Sequence, residues 1–398
     1  MYYSAAKDLS TSGAAWVRQG SEFGYRAPLY FTYLGGVFTL FPQSGYRTAQ
    51  VATSLLGVVT CVLLFVVAYR VQGAGAAKVA FWVRGLSLCF LLGDTFVMSE
   101  PLFAALQMAS ILVFVSAPPA PNSRHGLALG FLVGLSMLTR ESASGYPLIF
   151  AGGLFLLGGP FRKRAATVAL FFLAITITLL PWMWRNQIVW GRPLPLTLTS
   201  GPNLHIGNNP ATTGHWQRLP ESLPAYIRPG TPEANRWHTE KAIQYITSHP
   251  GRFIANGFKK VAWLVFPSFH RDPLMNIYSG RSALLKLMSV LSGGMSAVLI
   301  LIGIAGFILS KPDRFWWLSG TMFAYYLGIT YVAFGHPRLR DPLDHILICY
   351  VAAFVANWRN MRLQLQWRSP TALYKMCILG LVYGFIISNW VVTALGKV

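Results

Sequence analysis

The groups able to do ionic or acid–base chemistry are few here, and they fall into short segments between apolar runs. Twelve Asp and Glu stand against 33 Lys and Arg in 398 residues. "GYRAPLYFTYLGGVF" (Gly24 to Phe38) sets Arg26 beside Pro28, among Tyr25, Tyr30 and Tyr33. A guanidinium at a membrane surface either forks onto phosphate oxygens or anchors the chain at the interface with tyrosines. "GDTFVMSEPLF" (Gly93 to Phe103) brackets an apolar turn with Asp94 and Glu100. A helix start with Ser99 as N-cap accounts for Ser99 and Pro101, for Glu100 in part, and for Asp94 not at all. "LSMLTRESASGYPLIF" (Leu135 to Phe150) puts Arg140 and Glu141 in a very short turn. The two could pair with each other, or Arg140 could face a ligand phosphate. In "PWMWRNQIVWGRPLPL" (Pro181 to Leu196), Trp182, Trp184 and Trp190 mark an interface, which leaves Arg185 and Asn186 unexplained. "FGHPRLRDPLDHILICY" (Phe334 to Tyr350) crowds His336, Arg338, Arg340, Asp341, Asp344 and His345 into one turn, a pattern fitting a site or a buried ion network.

A sixth segment, "GPNLHIGNNPATTGHW" (Gly201 to Trp216), is polar and contains no acid. Gly201, Gly207 and Gly214 permit turns that other residues resist, and Asn203, Asn208 and Asn209 can close turns with their side chains. Those amides could touch a ligand or only hold the loop's shape.

The elements that must position these groups are membrane helices. Hydrophobic residues make up 54% of the chain and charged residues 11%, against about 25% charged in soluble domains. The class is an all-α polytopic membrane protein. Ten spans are predicted near residues 50–69, 79–93, 98–116, 125–139, 143–159, 166–184, 284–309, 315–334, 343–357 and 371–394. Those at 79–93, 125–139 and 343–357 are short enough to be tilted or broken. The chain divides into an outer loop with amphipathic helices (1–48), a bundle of about six spans (49–184), a long outer loop with interfacial helices (185–283) and a bundle of about four spans (284–398). Residues 4–20 and 232–262 read as amphipathic helices, the second broken at Pro250 and Gly251. Loops rich in Lys and Arg, such as "FRKR" and "SKPDR", lie on the cytoplasmic side. Of the twelve acids only Asp313 then falls there, and the rest gather at the outer face. The net charge of +21 is spread between spans, so lipid phosphate rather than nucleic acid is the anionic partner. Cys61, Cys89, Cys349 and Cys377 each sit in an apolar run, giving neither a disulfide framework nor a metal site. His336 and His345 lack a third metal ligand at usable spacing.

In order and wording these segments resemble the GT-C membrane glycosyltransferases, in the group of dolichyl-phosphate-mannose protein mannosyltransferases and aminoarabinose transferases, in bacterial form. Arg26 to Tyr30 match that group's Arg-Pro segment loosely. Ser99 to Phe103, Gly134 to Arg140, and His336 to Arg340 match further blocks, with Asp341, Pro342 and His345 departing. The specific part is Pro181 to Asn186, Gly191 to Leu194 and Asn203 to Gly214. The resemblance implies a GT-C-like helix bundle and inverting transfer of a sugar from a polyprenyl-phosphate donor to a hydroxyl acceptor. It places the reaction on the outer, periplasmic face of a bacterial cytoplasmic membrane. It implies a donor-binding set of Tyr3, Arg26, Arg140, Arg185, Asn186, Asn203, Asn208, Asn209, His336, Arg338 and Arg340. The donor is the lipid-linked sugar phosphate; no cofactor is certain, and metal dependence is left open. The family's base is an Asp after a first span, shortly before a Tyr. Because this sequence opens "MYY", that Asp is expected upstream of Met1, and Glu22, Asp94 and Glu100 are the candidate bases within the chain. A transporter or lipid flippase, and an inactive homologue, are the rival readings.

Overall fold

In the absence of water a spanning backbone must satisfy its own hydrogen bonds, so the continuous apolar runs fold as helices. The computed structural model describes residues 2–12, 26–219, 222–267, 283–358 and 370–394. The first half contains α1 (Tyr2–Ser12), α2 (Pro28–Leu40), α3 (Tyr46–Gln72), α4 (Ala74–Leu86), α5 (Leu88–Thr95), α6 (Glu100–Ser116), α7 (Ser123–Met137), α8 (Tyr146–Leu156) and α9 (Phe161–Trp190). The second contains α10 (Ser200–Gly207), α11 (Pro232–Ser248), α12 (Pro250–Leu264), α13 (Ala283–Leu309), α14 (Arg314–Val332), α15 (Asp341–Ala356) and α16 (Pro370–Ala394). Proline at the first or second position opens α2, α6, α8, α11, α12 and α15, where its missing N–H costs no intrahelical bond.

Among the described residues, fewer than ten helices are long and apolar enough to cross a bilayer. By length and composition α3, α9, Leu287–Leu309 of α13 and Pro370–Thr393 of α16 can cross a bilayer. α4 and α5 make one further candidate, bent by 57° at Ser87. The predicted segment at 79–93 is therefore a broken pair. α7, α8 and α15 have 15, 11 and 16 residues. At 1.5 Å per residue they reach only about 16–24 Å, short of a hydrocarbon core of about 30 Å. The sequence registers their apolarity, but α15 owes it to burial against protein: Pro342 to Ala353 are all buried in the bundle.

The amphipathic segment at 232–262 divides where Pro250 predicts, α11 ending at Ser248 and α12 starting at Pro250. α1 covers the described part of the first amphipathic segment and packs its Ala6 into a small core with Tyr30, Phe31, Leu34 and Phe38 of α2. Ser99 precedes α6 as expected, but its side chain makes no capping bond to the helix; it accepts a hydrogen bond from Tyr2 at 3.3 Å instead.

α7 and α9 pack closely, and a glycine stripe explains it. A Cβ on Gly126 would stand 2.4 Å from the Thr167 carbonyl oxygen, and one on Gly130 would stand 2.2 Å from that of Phe171. One on Gly134 would meet Thr178 at 2.8 Å. Position rises along both helices together, so α7 and α9 run parallel, with α8 returning between them. Small residues at i, i+4 and i+8 let two backbones approach where lipid supplies no hydrophobic drive.

Candidate functional site

Glu100, at the first position of α6, is the centre on which the sequence segments converge. Its Oε1 accepts from Arg140 Nη1 at 2.7 Å and from Arg338 Nε. Arg140 lies in the turn after α7, and Arg338 in a short 3₁₀ turn (Pro337–Arg340) before α15. Three segments separated by up to 238 residues thus meet at one carboxylate. The arrangement fixes two planar guanidiniums side by side, the kind of pair that can fork onto an anion's oxygens. Arg338 is 37% exposed, so the cluster opens outward on that side. The first segment reaches the same place. The Leu29 N–H donates to the Leu138 carbonyl at 2.9 Å, and Arg26 lies 5.8 Å from the Tyr2 ring, whose hydroxyl bonds Ser99. Tyr3 turns the other way, packing edge-on against Phe38 and Tyr46. The tyrosine beside the cluster is Tyr2.

Arg140 and Glu141 do not pair with each other. Glu141 instead accepts hydrogen bonds from Thr197, at 2.8 Å, and from Thr199. Burial pushes its carboxyl above the usual range, and the two threonines partly oppose the shift.

The neighbouring ion network was only half visible in the sequence. Both oxygens of Asp94 accept from one nitrogen of Arg84, at 3.0 and 2.8 Å, and Arg84 Nε donates to His345 Nε2 at 3.2 Å. His345 Nδ1 is 2.9 Å from the Asp341 carbonyl. Gly57 of α3 makes room for the pair, since a Cβ there would lie 2.1 Å from Asp94 Oδ2. Arg340 is wholly engaged by the protein: with Asp344 at 2.7 Å, the carbonyls of Leu264 and Phe266, and the Ser296 hydroxyl. Asp341 differs from both. It is half-buried at the first position of α15, and no hydrogen bond or ion pair closes on its carboxylate. Burial first, then the charges of Glu100 and Asp344, push it up to about 7, against the opposing pull of Arg140 and Arg84.

The glycine- and asparagine-rich segment is docked, not loose. α10 covers Ser200–Gly207. The Asn208 amide donates to the carbonyls of Leu204 and Val332 at 2.7 and 2.8 Å, and its oxygen accepts from Lys260 Nζ at 2.9 Å. Asn209 donates to His205 and Ile206 and accepts from the Ala211 N–H. Both side chains are spent on the fold. Asn203 is half-buried, its amide unbonded, one helical turn beyond Thr199. Beyond α10, Gly214, at φ +86°, accepts from the Gly335 N–H at 2.8 Å, and the Trp216 N–H donates to the Gly335 carbonyl at 3.1 Å. His215 thereby stacks near His336, whose Nδ1 accepts from the Arg338 N–H at 3.1 Å. Gly207 is fixed by close approach, because a Cβ would fall 1.6 Å from the Ala333 carbonyl oxygen. Arg185 and Asn186 are buried at the end of α9. Arg185 Nη1 donates to Asn186 Oδ1 at 3.0 Å, and Asn186 Nδ2 to the Leu194 carbonyl at 2.7 Å.

Of the candidate bases, Glu22 lies outside the described residues, Asp94 is held by Arg84, and Glu100 by Arg140 and Arg338. The sequence reading passed over Arg84 and Lys260. Arg84 carried a usable signal, a single cation within "AFWVRGLSLCF", since an intramembrane charge requires a partner. Lys260 did not, because a lysine on an amphipathic helix reads as surface. Among the described residues no three His, Cys, Asp or Glu side chains converge as metal ligands.

No protein-family model matches the sequence, and no curated protein does. Solved structures do match. The oligosaccharyltransferase of Archaeoglobus fulgidus, crystallised with zinc and sulfate, aligns with a TM-score of 0.51 at 13% identity, over 98% of this chain and 48% of that one. Its apo form gives 0.51 at 12% identity, over 98% and 51%. ArnT from Cupriavidus metallidurans in the apo state gives 0.41 at 14% identity, over 91% and 72%. The chain spans about half the length of the Archaeoglobus structures it matches. At this identity the likeness is one of fold: an all-α, GT-C-like membrane helix bundle.

Proposed function

We propose that the chain is a membrane glycosyltransferase that moves a sugar from a polyprenyl-phosphate carrier to a hydroxyl acceptor, with inversion. We place the reaction on the outer face of a bacterial cytoplasmic membrane. One observation carries the reading: two guanidiniums, Arg140 and Arg338, held together by Glu100 and open on one side. The GT-C-like fold agrees with it. A glycosyl phosphate needs cations more than a general acid, because its leaving group is an anion that gains charge as the C1–O bond breaks. Fixed guanidiniums meet that charge without reorganising. In this reading Arg140 and Arg338 bind the donor phosphate, Arg26 borders it, and Asn203 faces the sugar. Glu100 positions the two cations. Arg185, Asn186, Asn208, Asn209, His336 and Arg340 hold the surrounding wall, and Tyr3 packs the outer helix pair.

The test is binding of undecaprenyl phosphate to the purified protein in detergent. Arg140→Ala and Arg338→Ala are each expected to weaken it at least tenfold, since a charge-assisted bond is worth about 1.5–3 kcal/mol. Arg236→Ala, on the exposed face of α11, is expected to bind as the parent does. Unchanged binding in both site variants would overturn the assignment.

A further inference from the structure

We propose that Arg84 is a positioning residue of the donor site: through His345 it holds in register the corner of the bundle that carries Arg338. The inference rests on the glycosyltransferase reading and extends it to a buried charge that the proposed transfer does not touch. Arg84 lies in the last turn of α4, and the 57° bend at Ser87 turns α5 so that Asp94, near its end, reaches the guanidinium. One nitrogen, Nη2, serves both Asp94 oxygens, which leaves Nε to donate to His345 Nε2. Phe90 of α5 packs against both partners, its ring centre 4.4 Å from the guanidinium carbon of Arg84 and 5.0 Å from that of the His345 ring.

The imidazole is set for this contact. A carbonyl can only accept, so the 2.9 Å contact with the Asp341 carbonyl puts the hydrogen on His345 Nδ1 and leaves the Nε2 lone pair facing Arg84. His345 lies one turn into α15, whose first residue, Asp341, directly follows the Pro337–Arg340 turn. The start of α15 is thus held at separate points by separate elements. Arg84 holds it from α4, Gln107 of α6 holds the Pro342 carbonyl at 2.8 Å, and Arg340 ties the preceding turn to Leu264, Phe266 and Ser296. α6 also carries Glu100, so the reach from Arg338 to that carboxylate depends on how α15 seats against α4 and α6.

A buried ion pair is a poor source of stability, because taking two charges out of water costs about as much as their attraction returns. Apolar replacement of such a pair is often neutral, so stability alone does not account for Arg84 and Asp94 among the packed helices α3, α4 and α15. Direction does. A guanidinium offers its donors along fixed lines, whereas apolar packing alone lets one helix slide or turn against another at little loss of contact.

The experiment measures undecaprenyl phosphate binding and the melting midpoint of the purified protein in detergent. It compares the parent, His345→Phe, His345→Gln, and a double variant with Arg84→Met and Asp94→Leu. The double variant removes both charges, so neither is left buried alone. His345→Phe keeps a ring but no acceptor, and His345→Gln supplies an amide oxygen that can accept from Arg84. His345→Phe and the double variant should weaken binding by about fivefold, the scale of one ordinary hydrogen bond, with the melting midpoint unchanged. His345→Gln should restore most of the affinity. Parental affinity in both His345→Phe and the double variant overturns the inference and leaves the transferase reading standing. A loss of binding that follows a lowered midpoint and is not rescued in His345→Gln also overturns it, by making the network merely structural. A parent that does not bind undecaprenyl phosphate overturns the transferase reading and this inference with it.

Discussion

Lys260 is fully buried and bonded only to neutral acceptors, Asn208 Oδ1 and the Val332 carbonyl. Burial pushes its ammonium down to about 8. The unfolded chain therefore binds this proton more tightly than the folded one, and stability rises with pH between about 8 and the ordinary lysine value near 10.4. The melting midpoint of the parent is expected to climb between pH 7 and 9.5, with on the order of 2–3 kcal/mol recovered in full. Lys260→Met should flatten that rise, and an equal slope in both proteins would refute the account. At this scale the sequence was informative about residue types and silent about partners. It singled out Glu100, Arg140 and Arg338, yet nothing in their spacing says that they meet. Arg140 and Glu141 are chain neighbours and each finds its partner elsewhere, because a tight turn points adjacent side chains apart.

The helices hold these partners in place through close approaches that spacing alone does not disclose. Gly126, Gly130 and Gly134 sit at four-residue intervals on α7, a legible pattern, but only the structure shows that they meet the α9 backbone. Gly130→Ala would drive a methyl group against the Phe171 carbonyl. A loss of about 1–3 kcal/mol is expected, read as a lower melting midpoint, whereas Gly152→Ala, with open space around it, should be neutral. The sequence predicts more spans than there are long apolar helices among the described residues, for a physical reason. Apolarity reports removal from water, and burial inside the bundle satisfies that as well as lipid does. α15 is apolar because it is covered on nearly every side, and α8 is too short to cross. The break at Ser87 and the break at Pro250 were legible, one from an unduly short apolar run and one from proline chemistry.

Across the whole molecule, the polar segment after α9 is fastened on two sides. Thr197 and Thr199 bind Glu141, while Gly214 and Trp216 bond the Gly335 backbone. Gly207→Val would force Ala333 away and detach one side. Limited proteolysis is then expected to cut between residues 192 and 218 with the bundle intact, and undecaprenyl phosphate binding to fall; a resistant loop would count against the docking. The family resemblance located this segment by its wording, but the parallel contact between residues more than a hundred apart left no local trace. The parallel run of α7 and α9 has a wider result. One helix delivers Arg140 and the other Arg185 to the same end of the bundle, and three missing side chains in the apolar interior set the distance between their axes. The glycine stripe works as a caliper: the gap between cations at the polar end is gauged from the greasy middle, by residues that carry no charge and touch no substrate.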